Sequence, residues 1–256
     1  MMFHPIVPTS ARTSVTTFSL FRFPPRQQWW ALSQMGLKSL LNPLPKGIIF
    51  GKMLGCGRRG FSMLPDFSQY GLIAQWQNQS DAERFFSSKA LQTYLAHTVE
   101  SYTVQMVPLQ SHGLWDGHNP FTPVEAPLHY HGPIVVLTRA SIRLGKLLSF
   151  WRHVPHTQLA AQEAVGLKMA VGLGEIPLVQ QATVSIWENV EAIKKFAYQS
   201  GFHKEVVKKT HQQHWYREEL FARFIPIATA GSYLGKDPIH PHESIPLGLH
   251  PEDISH

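Results

Sequence analysis

The chain has 256 residues, of which 43% are hydrophobic and 16% are charged. This composition excludes an intrinsically disordered chain, and the length suits one large domain or two small ones. Fifteen Phe and seven Trp residues indicate a large core, a bulky apolar ligand, or both.

The net charge of +6 is concentrated near the N-terminus. Residues 1–70 contain eight Lys or Arg side chains and one acidic side chain, Asp66. Such a region suits an anionic membrane surface or an acidic protein partner, and a solvated basic face is the simpler interpretation. The sequence has no run of Lys or Arg and no nucleic-acid-binding signature, so we expect no nucleic-acid partner.

Cysteine usage and hydropathy predict the compartment. Cys56 is the single cysteine, which excludes an intramolecular disulfide and suits a reducing environment. The first residues lack the apolar core of a signal peptide, and no apolar run approaches the roughly 20 residues of a membrane span. We predict a cytoplasmic protein, with peripheral contact to the inner face of the membrane left open. Residues 27–50, with two Trp and several Leu, are either an interfacial amphipathic helix or a core-facing one.

Residues 14–110 and 133–228 show the same order of predicted elements. Each half has a strand, a helical pattern, a glycine-containing segment, a strand that ends in Trp76 or Trp187, a second helix and a last strand. This β-α-β-β-α-β order is ferredoxin-like. The first-half segments are SVTTFSLFRF, QQWWALSQMGLKSLL, GKMLGCG, YGLIAQW, SDAERFFSSKALQTYLAHTVE and YTVQMVPL, and the second-half segments are GPIVVLTRA, LGKLLSFWRHV, LKMAVGLG, ATVSIW, NVEAIKKFAYQ and ELFARFIPI.

The repeat predicts how the chain forms its core. A four-stranded antiparallel sheet with helices on one face leaves its other face bare, and two tandem copies can cover each other. We therefore predict an α+β fold in which tandem ferredoxin-like repeats pack as a pseudo-dimeric α+β barrel. The gap between sheet and helices in such a barrel suits a flat apolar ligand. The predicted units are a first repeat at 14–110, a linker at 111–132, a second repeat at 133–233 and an irregular tail at 234–256, for which we expect disorder.

Gly-x-Gly follows Lys-Met in both halves, in GKMLGCG (51–57) and LKMAVGLGE (167–175). A dinucleotide-binding fingerprint needs a third glycine, and Pro177 stands at that position in the second half. We interpret both segments as turns or bulges between strands, where glycine is needed for the backbone. Cys56 has no counterpart in the second repeat and is interpreted as incidental rather than as a nucleophile.

The segment SGFHKEVVKKTHQQHWYREEL contains the histidine of greatest interest. Helical spacing places His203, Val207, Thr210 and His214 near one face. His203 is then either a hydrogen-bonded core histidine or an axial ligand to a haem held between helix and sheet. The sequence lacks C-x-x-C-H, so such a haem is bound non-covalently.

Two arginines in REELFARF are further candidates. Arg217 and Arg223 alternate on the predicted strand and can pair with carboxylates such as haem propionates. The alternative is that they pair with Glu218 or Glu219. The patterns H-E-x-x-H and G-x-S-x-G are absent from the sequence, which argues against a zinc protease and a serine hydrolase.

Long stretches of the sequence resemble the spheroidene monooxygenase family, the acyclic carotenoid 2-ketolases. The likeness covers roughly residues 14–233 and weakens in the first fifteen residues and in the His/Pro-rich tail. It rests on the phrases TFSLFRF, KMLGCG with the following GF, YTVQMVPL, WDGHNPF, LTRASIR, FWRHVP, LKMAVGLGEIP, TVSIW and WYREELFARF.

The resemblance implies a monooxygenase that oxidises the C-2 methylene of acyclic carotenoids with molecular oxygen, giving first a hydroxyl and then a ketone. It implies reduced ferredoxin as electron donor and haem b, with its iron, as cofactor. By architecture, it implies His203 as the metal ligand, and we assign His203 and Arg217 as cofactor-binding residues. Oxidation of an unactivated methylene needs a cofactor, because side chains alone cannot activate oxygen. We expect the carotenoid end group inside the barrel.

Two alternatives remain open at this point. The barrel can bind haem or a lipid without turnover, or it can be a haem enzyme with peroxidase-like or dehydratase-like activity. Turnover of a carotenoid with reduced ferredoxin and oxygen separates the monooxygenase from both.

Overall fold

The computed structural model describes residues 2–6, 14–35, 40–58, 62–124, 130–152, 164–199 and 214–240. The first half of the chain forms its strands and helices in the predicted order. The first element, β1 (His4–Pro5), is a strand of two residues. It is followed by β2 (Val15–Arg22), α1 (Gln28–Ser33), β3 (Ile48–Gly57), β4 (Pro65–Trp76), α2 (Gln79–Phe86), α3 (Lys89–Leu95) and β5 (Glu100–Gly113).

The second half repeats this order. Its first helix continues from a 3-10 turn (Leu144–Lys146) to residue 152, where that described segment ends. The elements are β6 (Ile134–Ile142), α4 (147–152), β7 (Leu167–Ile176), β8 (Gln180–Trp187), α5 (Val190–Gln199) and β9 (Tyr216–Gly231).

Each half has the ferredoxin-like strand order, β5-β2-β4-β3 in the first and β9-β6-β8-β7 in the second. The halves join twice through antiparallel pairs, β5 with β9 and β3 with β7, which closes eight strands into a barrel. A closed barrel leaves no free sheet edge. The predicted α+β fold with tandem ferredoxin-like repeats is thus confirmed. The predicted unit boundaries stay a prediction, although β5 continues to Gly113, past residue 110.

Alternate side chains of all eight strands point into the barrel and form one continuous apolar cluster. Phe18, Tyr102 and Phe224 are fully buried in it. The interior is therefore a packed core, and the sequence-based placement of the carotenoid end group inside the barrel is wrong. The candidate binding surfaces are the outer faces of the two sheets, which carry the helices.

The Gly-x-Gly segments lie within strands rather than at turns. Gly55 pairs with Gly174 and Cys56 with Leu173, where β3 and β7 join the two halves. Register shifts follow both glycines, so the predicted turn is wrong and the bulge interpretation agrees with the structure.

Cys56 lies in the barrel core, where burial raises the pKa of its thiol, so it stays protonated and unreactive.

Two matching nine-residue segments close the barrel mouths. Strap one, GLWDGHNPF (113–121), follows β5, and strap two, GSYLGKDPI (231–239), follows β9. Each begins with a positive-φ glycine and contains a tight turn, bridged between Trp115 and His118 or between Tyr233 and Lys236. Phe121 and Ile239 end the two straps inside the barrel core. The repeat therefore includes the mouth closures as well as the sheets.

The side chain before each strap proline is anchored in the same way. Asn119 accepts hydrogen bonds from the Phe121 amide (3.0 Å) and the Ser111 hydroxyl (2.9 Å). Asp237 accepts them from the Ile239 amide (2.8 Å) and the Thr229 hydroxyl (2.6 Å). The disorder predicted for the tail is therefore wrong for residues 234–240, which pack against the barrel. The tail beyond residue 240 lies outside the described residues.

Candidate functional site

The outer face of the second sheet carries unusually small side chains at its centre. Thr138 on β6 is exposed, and Ala140, Ala170 and Thr183 on β6, β7 and β8 are half-buried. Their strand neighbours point into the barrel, so these four residues form one surface on the helical side of the sheet. We call this surface the open face.

Two aromatic clusters border the open face along the strands. At one end Trp187 packs against Phe196 of α5 in a tilted arrangement, with 5.3 Å between the ring centres. At the other end Phe150 and Trp151 of α4 pack with Trp215. A strand that runs from one cluster to the other, residues 136 to 142 of β6, spans about 20 Å. The face can therefore seat a flat, largely apolar ring system between aromatic walls.

Two arginines of β9 belong to the same side of the sheet. Arg217 is exposed. The guanidinium of Arg223 lies 5.2 Å from the ring centre of Phe221, and its buried Nε has no hydrogen-bond partner in the described part of the chain. Glu218 pairs with Arg139. Within the described part of the chain neither arginine forms the predicted alternative pair with Glu218 or Glu219. Both arginines are suited to bind carboxylates of a ligand on this side.

His203 lies outside the described residues, in the connection between α5 and β9. Its predicted role as metal ligand is neither supported nor contradicted by the geometry. The sequence pattern places His214 on the same helical face as His203. His214 is exposed and has a φ of 48°, two residues before β9 begins at Tyr216. A continuous helix through His214 is therefore not present at that end.

A second polar site, missed by the sequence analysis, lies inside the mouth under strap one. Arg139 of β6 points into the barrel with its side chain 2% exposed and pairs with Glu218. Lys52 of β3 also points inward, pairs with Glu175 and lies 2.5 Å from Asp116 of the strap. The strap is thus held over the barrel by ion pairs between its exposed Asp116 and the inward-pointing Lys52 and Arg139.

Aromatic and backbone groups complete this network. The indole of Trp115 donates to Glu175 (3.1 Å), and the Arg139 guanidinium lies 5.5 Å from the Trp115 ring centre. The backbone amides of Asp116 and Gly117 donate to Glu218 at 3.0 and 2.8 Å. A lone Arg or Lys in the middle of an apolar strand was the sequence signal for these residues.

The network shifts the pKa values of Glu218 and Lys52 toward their charged forms. Burial alone would raise the pKa of Glu218, but hydrogen bonds from the Gly117 and Asp116 amides and from Arg139 outweigh burial and lower it. Burial would lower the pKa of Lys52, but its bonds to Asp116 and Glu175 outweigh burial and raise it. Since Lys52 faces the barrel, it does not belong to the basic surface predicted from residues 1–70.

Clusters of metal ligands and membrane-spanning helices are both absent from the described residues. Those residues contain no cluster of three or more His, Cys, Asp or Glu side chains that could hold a metal ion. Among the described helices, none combines the length and hydropathy needed to cross a bilayer.

Solved structures of known proteins resemble this fold. An aldoxime dehydratase in complex with butyraldoxime superposes with a TM-score of 0.57, covering 90% of this chain and 85% of its own at 10% identity. A second aldoxime dehydratase structure gives a TM-score of 0.55 at 10% identity, covering 89% of this chain and 87% of its own. At this identity the likeness shows the fold alone.

Sequence comparison identifies relatives along most of the chain, although no family model matches it. Spheroidene monooxygenase of Cereibacter sphaeroides is 36% identical over 228 residues, which cover 87% of this chain and 70% of that protein. Spheroidene monooxygenase of Rhodobacter capsulatus is 35% identical over 230 residues, covering 88% of this chain and 95% of that protein. Spheroidene monooxygenase of Rubrivivax gelatinosus is 30% identical over 230 residues, covering 89% of this chain and 88% of that protein. The chain belongs to the spheroidene monooxygenase family.

Proposed function

We propose that the chain is a haem-dependent carotenoid monooxygenase that oxidises the C-2 methylene of acyclic carotenoids with molecular oxygen and reduced ferredoxin. The relatives' name, spheroidene monooxygenase, supports an oxygenase acting on a carotenoid. The open face carries the haem part of the proposal, because it offers a flat surface between aromatic walls on the helical side of the second sheet.

The described residues fit a haem on the open face. The small side chains of Thr138, Ala140 and Thr183 let a planar ring approach the sheet. Arg217 would bind the propionates. Arg223 lies six residues further along β9, about 20 Å away at the other end of the face, where its unpartnered Nε would bind another polar group of a ligand. His203, in the connection from α5 to β9, would be the iron ligand.

The chain's own groups would then prepare the site for oxidation. A bound haem supplies the oxygen activation that side chains cannot provide. The aromatic clusters around Trp187 and Trp151 exclude water from the ends of the open face and offer apolar surface to a polyene. The exposed Thr138 hydroxyl is a polar group on the floor of the site that can hold a proton or a water at its Oγ1.

The electron donor in this proposal is an acidic protein, reduced ferredoxin. The exposed Arg26 and Arg58 belong to the basic N-terminal region and would steer its approach. Peripheral contact with the membrane would give access to the carotenoid.

Absorption spectra of the purified full chain test the cofactor. We expect a Soret band at one haem per chain in oxidised, reduced and carbon monoxide-treated samples, and its loss in His203→Ala. Absence of a Soret band in folded protein supplied with haem would contradict the haem proposal. An unchanged band and unchanged haem content in His203→Ala would contradict the ligand assignment alone.

Turnover tests the reaction separately. With reduced ferredoxin, oxygen and spheroidene, we expect a 2-oxygenated product that carries label from ¹⁸O₂. Saturable carotenoid binding without product would indicate a binding protein instead. Rapid peroxide consumption without carotenoid oxidation would indicate a haem enzyme of another reaction type.

A further inference from the structure

The outer face of the first half carries a groove between α1, residues 40–46 and the helices α2 and α3. Its volume is about 670 Å³, which is within the roughly 300–1,000 Å³ range of ligand sites. The floor is aromatic and aliphatic, with Trp30, Leu40, Phe85 and Tyr94 among the lining residues. This lining suits an apolar chain rather than a polar metabolite.

The rim of the groove is positively charged. Lys46 and Lys89 are exposed at the rim and form no ion pair with any carboxylate of the described residues. Arg84 also lines the groove, but it pairs with Asp81 at 2.7 Å. The two lysines therefore leave net positive charge beside the apolar floor, ready for an anionic group.

Exposed apolar side chains lie at the same place. Leu44 lines the groove and is 70% exposed, and Trp29, next to the floor residue Trp30 on α1, is 82% exposed. Solvent-exposed Trp on a surface that also carries Lys is typical of proteins that enter the headgroup region of a bilayer. Apolar groove, cationic rim and exposed Trp are thus found together on one surface.

We propose that this groove binds an acyl chain of an anionic phospholipid, with Lys46 and Lys89 at the phosphate, and so docks the first half on the membrane surface. An acidic protein would use the lysines but not the concave apolar floor or Trp29. An anionic lipid uses all three. The proposal stands on the first half alone and does not depend on haem or on turnover.

Vesicle flotation of the full chain tests the docking. We expect binding to phosphatidylglycerol vesicles at low salt, much weaker binding to phosphatidylcholine vesicles, and loss of binding at high salt. Lys46→Gln combined with Lys89→Gln should weaken the phosphatidylglycerol partition roughly 25-fold, since each basic residue near an anionic surface contributes about fivefold.

Trp29→Ala should also weaken the partition. Leu148→Ala is its matched control, because Leu148 is 84% exposed on α4 of the second half and should have no effect. Equal binding to both vesicle types, or equal losses for Trp29→Ala and Leu148→Ala, would overturn the proposal. So would a double lysine variant that binds vesicles normally but no longer binds reduced ferredoxin, since that result makes the rim a protein-docking site.

A soluble short-chain lipid tests the groove itself. We expect monomeric dihexanoyl phosphatidylglycerol to bind the full chain saturably and to protect α1 and α3 from hydrogen exchange. Thr93→Trp, at an exposed groove position, should block this binding without a change in charge. Unchanged binding of the lipid monomer to this folded variant would show that the lipid binds elsewhere and would overturn the groove assignment.

Discussion

The two halves of the barrel share one register but use their outer faces differently. Val15 lies opposite Trp76 in the first half, and Ile134 lies opposite Trp187 in the second. Counting along the strands from these pairs makes Phe21 equivalent to Ala140 and Leu72 equivalent to Thr183. The backbone frame is thus repeated, while the side chains on the helical side have diverged.

In the first half the outer face is filled by the protein itself. Phe21 is fully buried, 5.0 Å from Tyr94 of α3 between ring centres, and Phe23 lies 5.4 Å from the same ring. Tyr70, opposite Phe21, is also buried in this cluster. In the second half Ala140 and Gln181 stand at these two positions. The sheet of the first half is therefore covered by the protein's own aromatic rings, whereas the sheet of the second half carries small side chains at its centre.

Removing a buried aromatic ring from the outer face of the first sheet should have the largest effect on stability. Phe21→Ala should lower the free energy of unfolding by about 3–5 kcal/mol, because it leaves a cavity among fully buried rings. Denaturant unfolding measures this loss. Thr138→Ala, on the exposed part of the second half, should stay within about 0.5 kcal/mol of the parent chain. Equal losses in the two variants would contradict the difference between the halves.

Placing a large side chain on the open face of the second half should weaken haem binding instead. Ala140→Phe introduces the side chain of the equivalent first-half position and should weaken haem binding at least about 100-fold, or about 2.7 kcal/mol. Spectral titration of the haem-free protein measures the affinity. The conservative Thr138→Ser should retain haem. If Ala140→Phe binds haem normally while it folds, the open face is not the haem site.

The sequence predicts the fold well because the fold depends on two periodic patterns, the alternation of apolar and polar residues in strands and the repeated order of elements in the two halves. Strand alternation and the repeated β-α-β-β-α-β order need only local patterns, and closure follows because each sheet must cover its inner face. The repeated Lys-Met was misleading, however. Phe50 and Met169 face equivalent positions of β4 and β8, so Lys52 is equivalent to Val171 rather than to Lys168. The bulges after Ile48 and Leu167 stand at equivalent positions of the two halves, so they leave the register between the halves unchanged, and the Lys-Met match is a coincidence of sequence.

The straps and the open face could not be predicted in the same way. Pro, Gly and His make strap one look like a linker and strap two like a tail, although both follow one pattern of Gly, aromatic, Gly, Asn or Asp, Pro and an apolar residue. The open face depends on the absence of bulk, and Ala140 or Thr183 is ordinary in any strand. Only the register, which places Ala140 where Phe21 stands, shows that their size matters.

The two straps differ in charge, which gives a pH-dependent prediction. Burial alone would raise the pKa of Asp237, but hydrogen bonds from Thr229, the Ile239 amide and His240 outweigh it and lower the pKa. A lowered folded-state pKa means that the stabilisation is present above the unfolded value of about 3.9 and is lost as the pH falls through the folded value.

Asp237→Asn, which copies Asn119 of strap one, should therefore cost about 1–3 kcal/mol at pH 7 and progressively less as the pH falls below about 4. Urea unfolding across that pH range measures the difference. Asn119→Asp, at an exposed position, should change stability by no more than about 0.5 kcal/mol. A cost for Asp237→Asn that is independent of pH would show that the charge of Asp237 contributes nothing.

The smallest effect concerns two tyrosines on opposite sides of the first sheet. The hydroxyl of Tyr94, on the outer side, is buried and has no hydrogen-bond partner among the described residues. That of Tyr102, inside the barrel, donates to Asp237 at 3.3 Å. Tyr94→Phe should leave stability unchanged or raise it by up to about 1 kcal/mol, because a buried unpaired hydroxyl disfavours folding. Tyr102→Phe should lower it by about 0.5–1.5 kcal/mol.

Thermal unfolding of the two variants side by side decides whether the outer cluster of the first half is held by apolar packing alone. A loss for Tyr94→Phe as large as that for Tyr102→Phe would mean that the Tyr94 hydroxyl makes a bond that stabilises the fold. The cluster would then be a polar site in its own right, and the difference between a filled first half and an open second half would be one of chemistry as well as volume. Because the rings around Tyr94 are packed edge to face at about 5 Å, we expect the apolar outcome.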